Sequence, residues 1–219
     1  MVPRRLGLGM RIERSELRRR FWHMAPGLLP FLMWYFPHRD PISPTLYAIM
    51  VATVVGLAIG IFVGYRQIQR RGEQNQRLSA VAGYAASVLL TFIAFPGNAE
   101  LGLTVLAILA FGDGSATLGG LLIGGPKLPW NREKTVAGLL CFLVVGGAMA
   151  TVVYWGETNM NREALPPKAT IFSALVCGGS ATVIAAIAES LPSRINDNIR
   201  VGVAAAVTVA TAHAVVVGW

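Results

Sequence analysis

The chain has 219 residues, of which 54% are hydrophobic and 14% charged, with a formal net charge of +8 and a mean hydropathy of +0.55. That is too apolar for an ordinary soluble domain and points to a membrane protein with several spans. The basic residues sit at the ends of apolar runs, where anionic lipid head groups lie, so the charge argues for a membrane surface and against nucleic acid.

Seven apolar stretches are long enough to cross a bilayer at about 20 residues each: 21–37, 45–65, 78–96, 100–122, 135–155, 169–188 and 199–218. The predicted fold is therefore all-α, a polytopic transmembrane helical bundle of about seven spans. Residues 1–20 form a basic arm with Arg4, Arg5, Arg11, Arg14, Arg18, Arg19 and Arg20, and its second half suits a short amphipathic helix lying on the membrane. Residues 21–219 form one transmembrane domain. A charged arm running straight into a full span, with no small-residue cleavage site, reads as a chain without a secretory leader.

The first span carries Pro26 and Pro30, which should kink it, and ends at the turn 37–41. The second ends in Arg66, Arg70, Arg71 and Arg77; the third ends at Pro96-Gly97-Asn98. The fourth enters the run Phe111–Gly138, FGDGSATLGGLLIGGPKLPWNREKTVAG, in which one acid, Asp113, stands among glycines ahead of Lys127 and Lys134. The fifth span leads to a polar loop, 156–168. The sixth ends at Glu189-Ser190-Leu191-Pro192 and is followed by the polar loop SRINDNIR, 193–200, before the seventh span. Cys141 and Cys177 fall inside spans with no partner motif and read as packing residues, as does His213, deep in the last span.

Alternating the spans puts every Lys and Arg except Arg39, Arg162 and Lys168 on one side. The positive-inside rule makes that side cytoplasmic, with the C-terminus opposite; a bacterial inner membrane is the expected location. Glu100, Glu157 and Glu163 then lie outside and are not site candidates. The cytoplasmic face gathers Arg19, Arg20 and His23, Asp113 with its glycines, Lys127 with Lys134, and Glu189 with Asp197 and Asn198. An acid at membrane depth is costly and so suggests function; Asp113 also has a bland reading as a buried acid paired for structure. Phosphoryl transfer needs metal ligands, positive charge and positioning more than covalent help. Carboxylates and an amide oxygen suit magnesium, and lysines suit phosphates. Gly119, Gly120, Gly124 and Gly125 are equally readable as small residues for helix packing, and the lysines as topology signals.

These residues carry a family resemblance. Arg19-Arg20-Phe21-Trp22-His23, Gly112-Asp113-Gly114-Ser115-Ala116 with Gly119, Gly120 and Gly124, Lys127-Leu128-Pro129, Lys134-Thr135-Val136-Ala137-Gly138, Glu189-Ser190-Leu191-Pro192 and Asn196-Asp197-Asn198 occur in order along nearly the whole chain. This ordered set resembles the CTP-dependent lipid-alcohol kinases, the polyprenol kinase family that includes phytol kinase, dolichol kinase and the fungal type of diacylglycerol kinase. The KLPWNREKTVAG string is most like the phytol kinase branch. The resemblance implies a membrane kinase that moves a phosphoryl group from CTP, or another nucleoside triphosphate, to the hydroxyl of a lipid or isoprenoid alcohol. It implies catalytic roles for Asp113, Glu189, Asp197 and His23, with Glu189 or His23 positioning or deprotonating the hydroxyl. It implies nucleotide contacts at Gly112, Gly114, Gly119, Gly124, Lys127, Lys134 and Gly138. Magnesium would be held by Asp113, Asp197 and Asn198.

The chain departs from the family at three places. Thr117 and Gly120 stand where many relatives carry an acid and an arginine, and Asn196 replaces the first acid of an Asp-Asp-Asn triplet, so fewer metal or phosphate ligands remain. Two other readings use the same residues: a cytidylyltransferase that makes a CDP-lipid, and a transporter or non-catalytic membrane protein with Asp113 as an ion site. The partners expected are a nucleoside triphosphate, a lipid alcohol and the bilayer; a homodimer is compatible with the sequence.

Overall fold

The structure is a computed structural model, and it describes residues 14–35, 38, 40–52, 55, 56, 59, 72–164, 167–193 and 195–219. The regular structure among these residues is helical, with no strand beyond a single bridge between Lys127 and Thr135. Seven helices are named here: α1 (Arg14–Met24), α2 (Leu29–Met33) and α3 (Gly72–Ala94), then α4 (Ala99–Leu122), α5 (Val136–Met160), α6 (Ile171–Ser190) and α7 (Asp197–Val216).

Four of them, α4 to α7, are long and apolar enough to cross a membrane, and the apolar part of α3 is the shorter Ala82–Ala94. The described residues thus bear out an all-helical membrane architecture but only four of the seven expected spans. The first stretch, 21–37, is broken rather than continuous. A 3-10 turn, Ala25–Leu28, separates α1 from α2, and Pro26 and Pro30 each sit in the first turn of the segment they begin. A proline costs no hydrogen bond there, whereas mid-helix it would. In the second stretch, 45–65, helical backbone is described over 44–52, while residues 53, 54, 57, 58 and 60–65 lie outside the described residues, as do Arg4, Arg5, Arg11, Arg66, Arg70 and Arg71.

Helix α4 is the centre of the bundle. Leu101, Leu103, Val105, Ala107, Ile108, Leu109 and Ala110 are all buried, so the helix is wrapped on every side. Helices α5, α6 and α7 pack around it and turn Val144, Phe172, Leu175 and Val207 outward, the apolar exterior expected of helices that face lipid. Small residues allow this closeness: a Cβ on Gly178 of α6 would stand 2.8 Å from the Ala150 carbonyl carbon and the Thr151 nitrogen of α5.

Two π-bulges, Ile108–Asp113 in α4 and Phe142–Gly146 in α5, face one another. A Cβ on Gly112 would come within 2.9 Å of the Phe142 ring, and one on Gly146 within 3.0 Å of the Gly112 Cα. Such bulges re-aim side chains and are frequent at functional sites. Asp113 is the last residue of the first one.

Several spans end elsewhere than predicted. Helix α5 runs on past residue 155 to Met160 because Glu157 is buried and finds partners there: His38 at 2.7 Å and the Asn161 amide at 3.0 Å. Glu189 and Ser190 belong to α6, and Asp197 and Asn198 to the first turn of α7. The N-cap of α7 is Asn196, whose side chain accepts from the Asn198 N–H at 3.0 Å. His213 is buried, yet it is part of a polar network, 2.6 Å from the Tyr154 hydroxyl and 3.5 Å from Glu100.

Candidate active site

The loop between α4 and α5 is folded back on itself. Gly124 and Gly125 have φ of +66° and +93°, left-handed values that glycine adopts without a Cβ clash. Beyond them the Leu128 N–H donates to the Lys134 carbonyl and the Val136 N–H to the Pro126 carbonyl, both at 3.0 Å. Leu128 anchors the loop in the core. The Trp130 indole N–H donates to the Ser190 hydroxyl at 3.2 Å, and the Asn131 amide to the Ser190 carbonyl at 3.1 Å. Those two bonds fasten the loop to the end of α6 and set Lys134 over Glu189.

Lys134 is ion-paired with Glu189 and stands 3.3 Å from Asp197. Asp197 is also held by Arg200 at 2.7 Å, whose guanidinium reaches the Leu191 carbonyl at 2.7 Å as well. Burial by itself would pull the Lys134 ammonium toward its neutral form. The carboxylates of Glu189, Asp197 and Asp113 outweigh that and hold it above the ordinary lysine range, so it remains a cation. A cavity of about 180 Å³ lies beside it, walled by Thr117, Gly120, Lys127, Lys134, Gly138 and Glu189 among others. A second, of about 430 Å³, lies between Trp130–Lys134, Leu191–Ser193 and Asp197. Lys134 belongs to both.

A second pair, which no spacing in the sequence indicated, joins His23 to Asp113. His23 Nε2 lies 3.1 Å from Asp113 Oδ2 and 3.2 Å from the Leu109 carbonyl. Both partners are acceptors, so Nε2 carries the hydrogen, and Nδ1 of the neutral ring is the nitrogen able to take up a proton. The Tyr84 ring meets His23 edge-on at 5.2 Å. A cavity of about 460 Å³ opens beside this pair, lined by Trp22, His23, Leu29, Tyr84, Val88, Leu106 and others, with Asn198 at its edge. Asp197 touches the polar cavity and Asn198 the apolar one. The first turn of α7 therefore joins the two halves of the site.

The remaining predicted residues divide by position. Gly120 and Gly138 line the smaller polar cavity. Gly112, Gly114 and Gly119 back directly onto Phe142, Met24 and Cys141. Gly124 is at the turn, and Lys127 donates to the Glu133 carbonyl at 3.3 Å on the exposed surface. Among the described residues no three acid, histidine or cysteine side chains cluster as a preformed metal site. Asp113 and Asp197 instead make separate contacts, one with His23 and the other with two cations. That set fits a magnesium ion that needs only one or two carboxylates because phosphates supply the rest. Tyr84, Trp130, Asn131 and Arg200 were not singled out by motif or spacing. Nothing in the sequence marks a tyrosine in an apolar run as the neighbour of a histidine sixty residues earlier.

Comparison with known proteins finds kinases of isoprenoid alcohols. The chain is 26% identical over 208 residues to phytol kinase 1, chloroplastic, of Arabidopsis thaliana, covering 88% of this chain and 65% of that protein. It is 26% identical over 207 residues to probable phytol kinase 1, chloroplastic, of Glycine max, covering 88% and 66%. It is 25% identical over 202 residues to farnesol kinase, chloroplastic, of Arabidopsis thaliana, covering 88% and 64%. The chain thus spans about 65% of the length of the curated relatives it matches. No family model matches it, and no solved structure does. The resemblance to the phytol kinase branch of the lipid-alcohol kinases is borne out by these relatives. All three are chloroplast proteins, which lends no support to a bacterial inner membrane.

Proposed function

We propose that the protein is an integral membrane kinase that transfers the terminal phosphoryl group of a nucleoside triphosphate, CTP by the family resemblance, to the hydroxyl of a lipid or isoprenoid alcohol. Phytol and farnesol, the alcohols in the names of its relatives, are the first acceptors to test, ahead of polyprenols and diacylglycerol. The observation that carries this reading is that a half-buried cation, Lys134 with Glu189 and Asp197, and an Asp-His pair, His23 with Asp113, lie beside cavities that share the first turn of α7.

The triphosphate lies in the polar cavities, against Lys134 and Lys127. Fixed positive charge there stabilises the charge that develops on the transferring phosphoryl group and the leaving diphosphate. The alcohol hydroxyl lies at His23. Its oxygen forms the new P–O bond as the bond to the β-phosphate oxygen breaks, and His23 Nδ1 takes the hydroxyl proton while Asp113 steadies the imidazolium. Glu189 is engaged by Lys134 and serves to hold that lysine, which leaves His23 as the base. Magnesium, bound with the nucleotide, would neutralise phosphate charge. Asp113 would offer it the carboxylate oxygen that does not face His23, while both oxygens of Asp197 are engaged by Lys134 and Arg200; Asn198 is the amide next to Asp197. The site faces the compartment that holds the nucleotide, the cytoplasmic side by the positive-inside reading, with the C-terminus opposite.

The test is purified protein with labelled CTP, magnesium and a panel of phytol, farnesol, polyprenol and diacylglycerol. A phosphorylated alcohol and free CDP are expected. Pyrophosphate release instead would identify a cytidylyltransferase. Folded protein that forms no lipid phosphate with CTP, ATP or UTP would overturn the kinase reading.

A further inference from the structure

The cavity of about 460 Å³ beside His23 is close in size to the larger of the two beside Lys134, about 430 Å³, but its character differs. Its walls are hydrocarbon: Trp22 and Leu29 from the N-terminal segment, Val88 and Leu89 from α3, Leu106 from α4. Trp22 is 67% exposed and Leu29 48%, so the rim lies on the outer, apolar surface of the bundle. At the inner end stands His23, bound to Asp113. Tyr84 forms the wall there, and its hydroxyl is buried with no hydrogen-bond partner in the protein. Buried hydroxyls normally have one.

From this arrangement we infer that the cavity is the binding site for the single hydrocarbon chain of a long-chain prenyl alcohol, which enters from the lipid between the 14–33 segment and α3 and presents its hydroxyl at His23. The inference rests on the kinase reading only for the fate of that hydroxyl. Apolar walls with a few convergent polar groups at one end describe a small-molecule site, and about 460 Å³ is within the size range of such sites. Ala85, on the same wall, is the position at which chain bulk is gauged.

The experiment uses the full chain in nanodiscs and a C20 prenyl alcohol bearing a diazirine in its chain, with labelled peptides mapped by mass spectrometry. Adducts are expected on Trp22, Leu29 or the 84–89 stretch, displaced by excess phytol, and reduced about tenfold in Ala85→Phe. Adducts elsewhere in the chain overturn the proposal, and this wild-type measurement needs no variant to fold. Displacement by hexadecane as effective as by phytol overturns it, because the hydroxyl then contributes nothing. Displacement by diacylglycerol but not phytol overturns the single-chain assignment. Adducts at the cavity without any lipid phosphate would sink the kinase reading and leave this site standing; phosphoryl transfer with adducts elsewhere would do the reverse.

Discussion

Lys134 and Glu189 are ion-paired across 55 positions of sequence, joining the loop that follows the central helix to the end of α6. Glu189 is buried and Lys134 half-buried. Removing Lys134 leaves Glu189 charged, desolvated and without its partner, which is costlier than removing both, whereas removing Glu189 leaves Lys134 still facing Asp197.

A double-mutant cycle separates structure from chemistry here. Lys134→Met should destabilise the protein by roughly 1–3 kcal/mol, the scale for an uncompensated buried polar group, and Glu189→Gln by less, because Asp197 still faces Lys134. The double variant should regain most of that. Phosphoryl transfer should fall about 10²-fold or more in every variant that lacks Lys134, the scale for losing one fixed charge-stabilising group, and should not recover in the double variant. Thermal melts and initial rates decide it. Recovered transfer in the double variant would make Lys134 a structural cation only.

The His23–Asp113 pair gives a second prediction. In His23→Gln the side-chain amide can still donate to Asp113, but no basic nitrogen remains. Transfer should drop by about 10²- to 10⁴-fold, the range for general base catalysis, with the nucleotide KM nearly unchanged. Asp113→Asn should lose transfer as well and should also weaken the dependence on magnesium. A His23→Gln enzyme within threefold of wild type would remove His23 from proton transfer.

Both pairs were within reach of the sequence only because ordered motifs nominated their members; composition and spacing placed no one of them beside another. The four long helices α4–α7 were plain from apolar runs of sufficient length. The π-bulge that ends at Asp113 was not, since it depends on Gly112 and Gly146 closing on Phe142 and on each other, contacts between helices that no local pattern encodes. Glu157 reads as a loop residue because it follows Gly156 and precedes a polar stretch, yet His38, far away in sequence, buries it in α5. Proline positions predicted a kink in the first span, and the result is a full break because two prolines four residues apart each begin a new segment.

Glycines in the site region can be sorted by what a methyl group would meet. A Cβ at Gly138 would stand 2.7 Å from the Ala116 carbonyl oxygen and 3.1 Å from the Thr135 hydroxyl that caps α5. Backbone cannot yield easily, so Gly138→Ala should push α4 and α5 apart beside the Lys134 cavity. A cost of about 1–3 kcal/mol is expected, the range for overpacking, together with a raised nucleotide KM. Gly124→Ala meets no atom within 4 Å and carries only the penalty of its positive φ, roughly 1 kcal/mol, with the KM unchanged. Equal effects of the two on nucleotide KM would show that the loop turn, not helix spacing, governs the site.

At the other end of α5, about 30 Å along the helix axis from Val136 at 1.5 Å per residue, Asp40 offers a stability test independent of catalysis. Burial first, then the charge of Glu157, raises its pKa from 3.8 to about 6, against smaller opposing effects of His38 and Lys168. One oxygen of its carboxylate is buried without a partner. Between about pH 4 and pH 6 the folded state therefore binds a proton that the unfolded state has lost. Stability from this group is greatest below pH 4 and falls as pH rises to 6. At about 1.4 kcal/mol per unit the loss is at most roughly 3 kcal/mol, and it persists at neutral pH, where the carboxylate is ionised in both states. Asp40→Asn cannot ionise and keeps the shape. It should melt several degrees above wild type at pH 7.5 and gain nothing at pH 4, because the wild-type carboxyl is already neutral in the fold there. Melting curves of the two proteins in the same detergent at both pH values measure this directly, and an Asp40→Asn variant less stable than wild type at pH 7.5 would mean that the ionised carboxylate holds a partner in the fold.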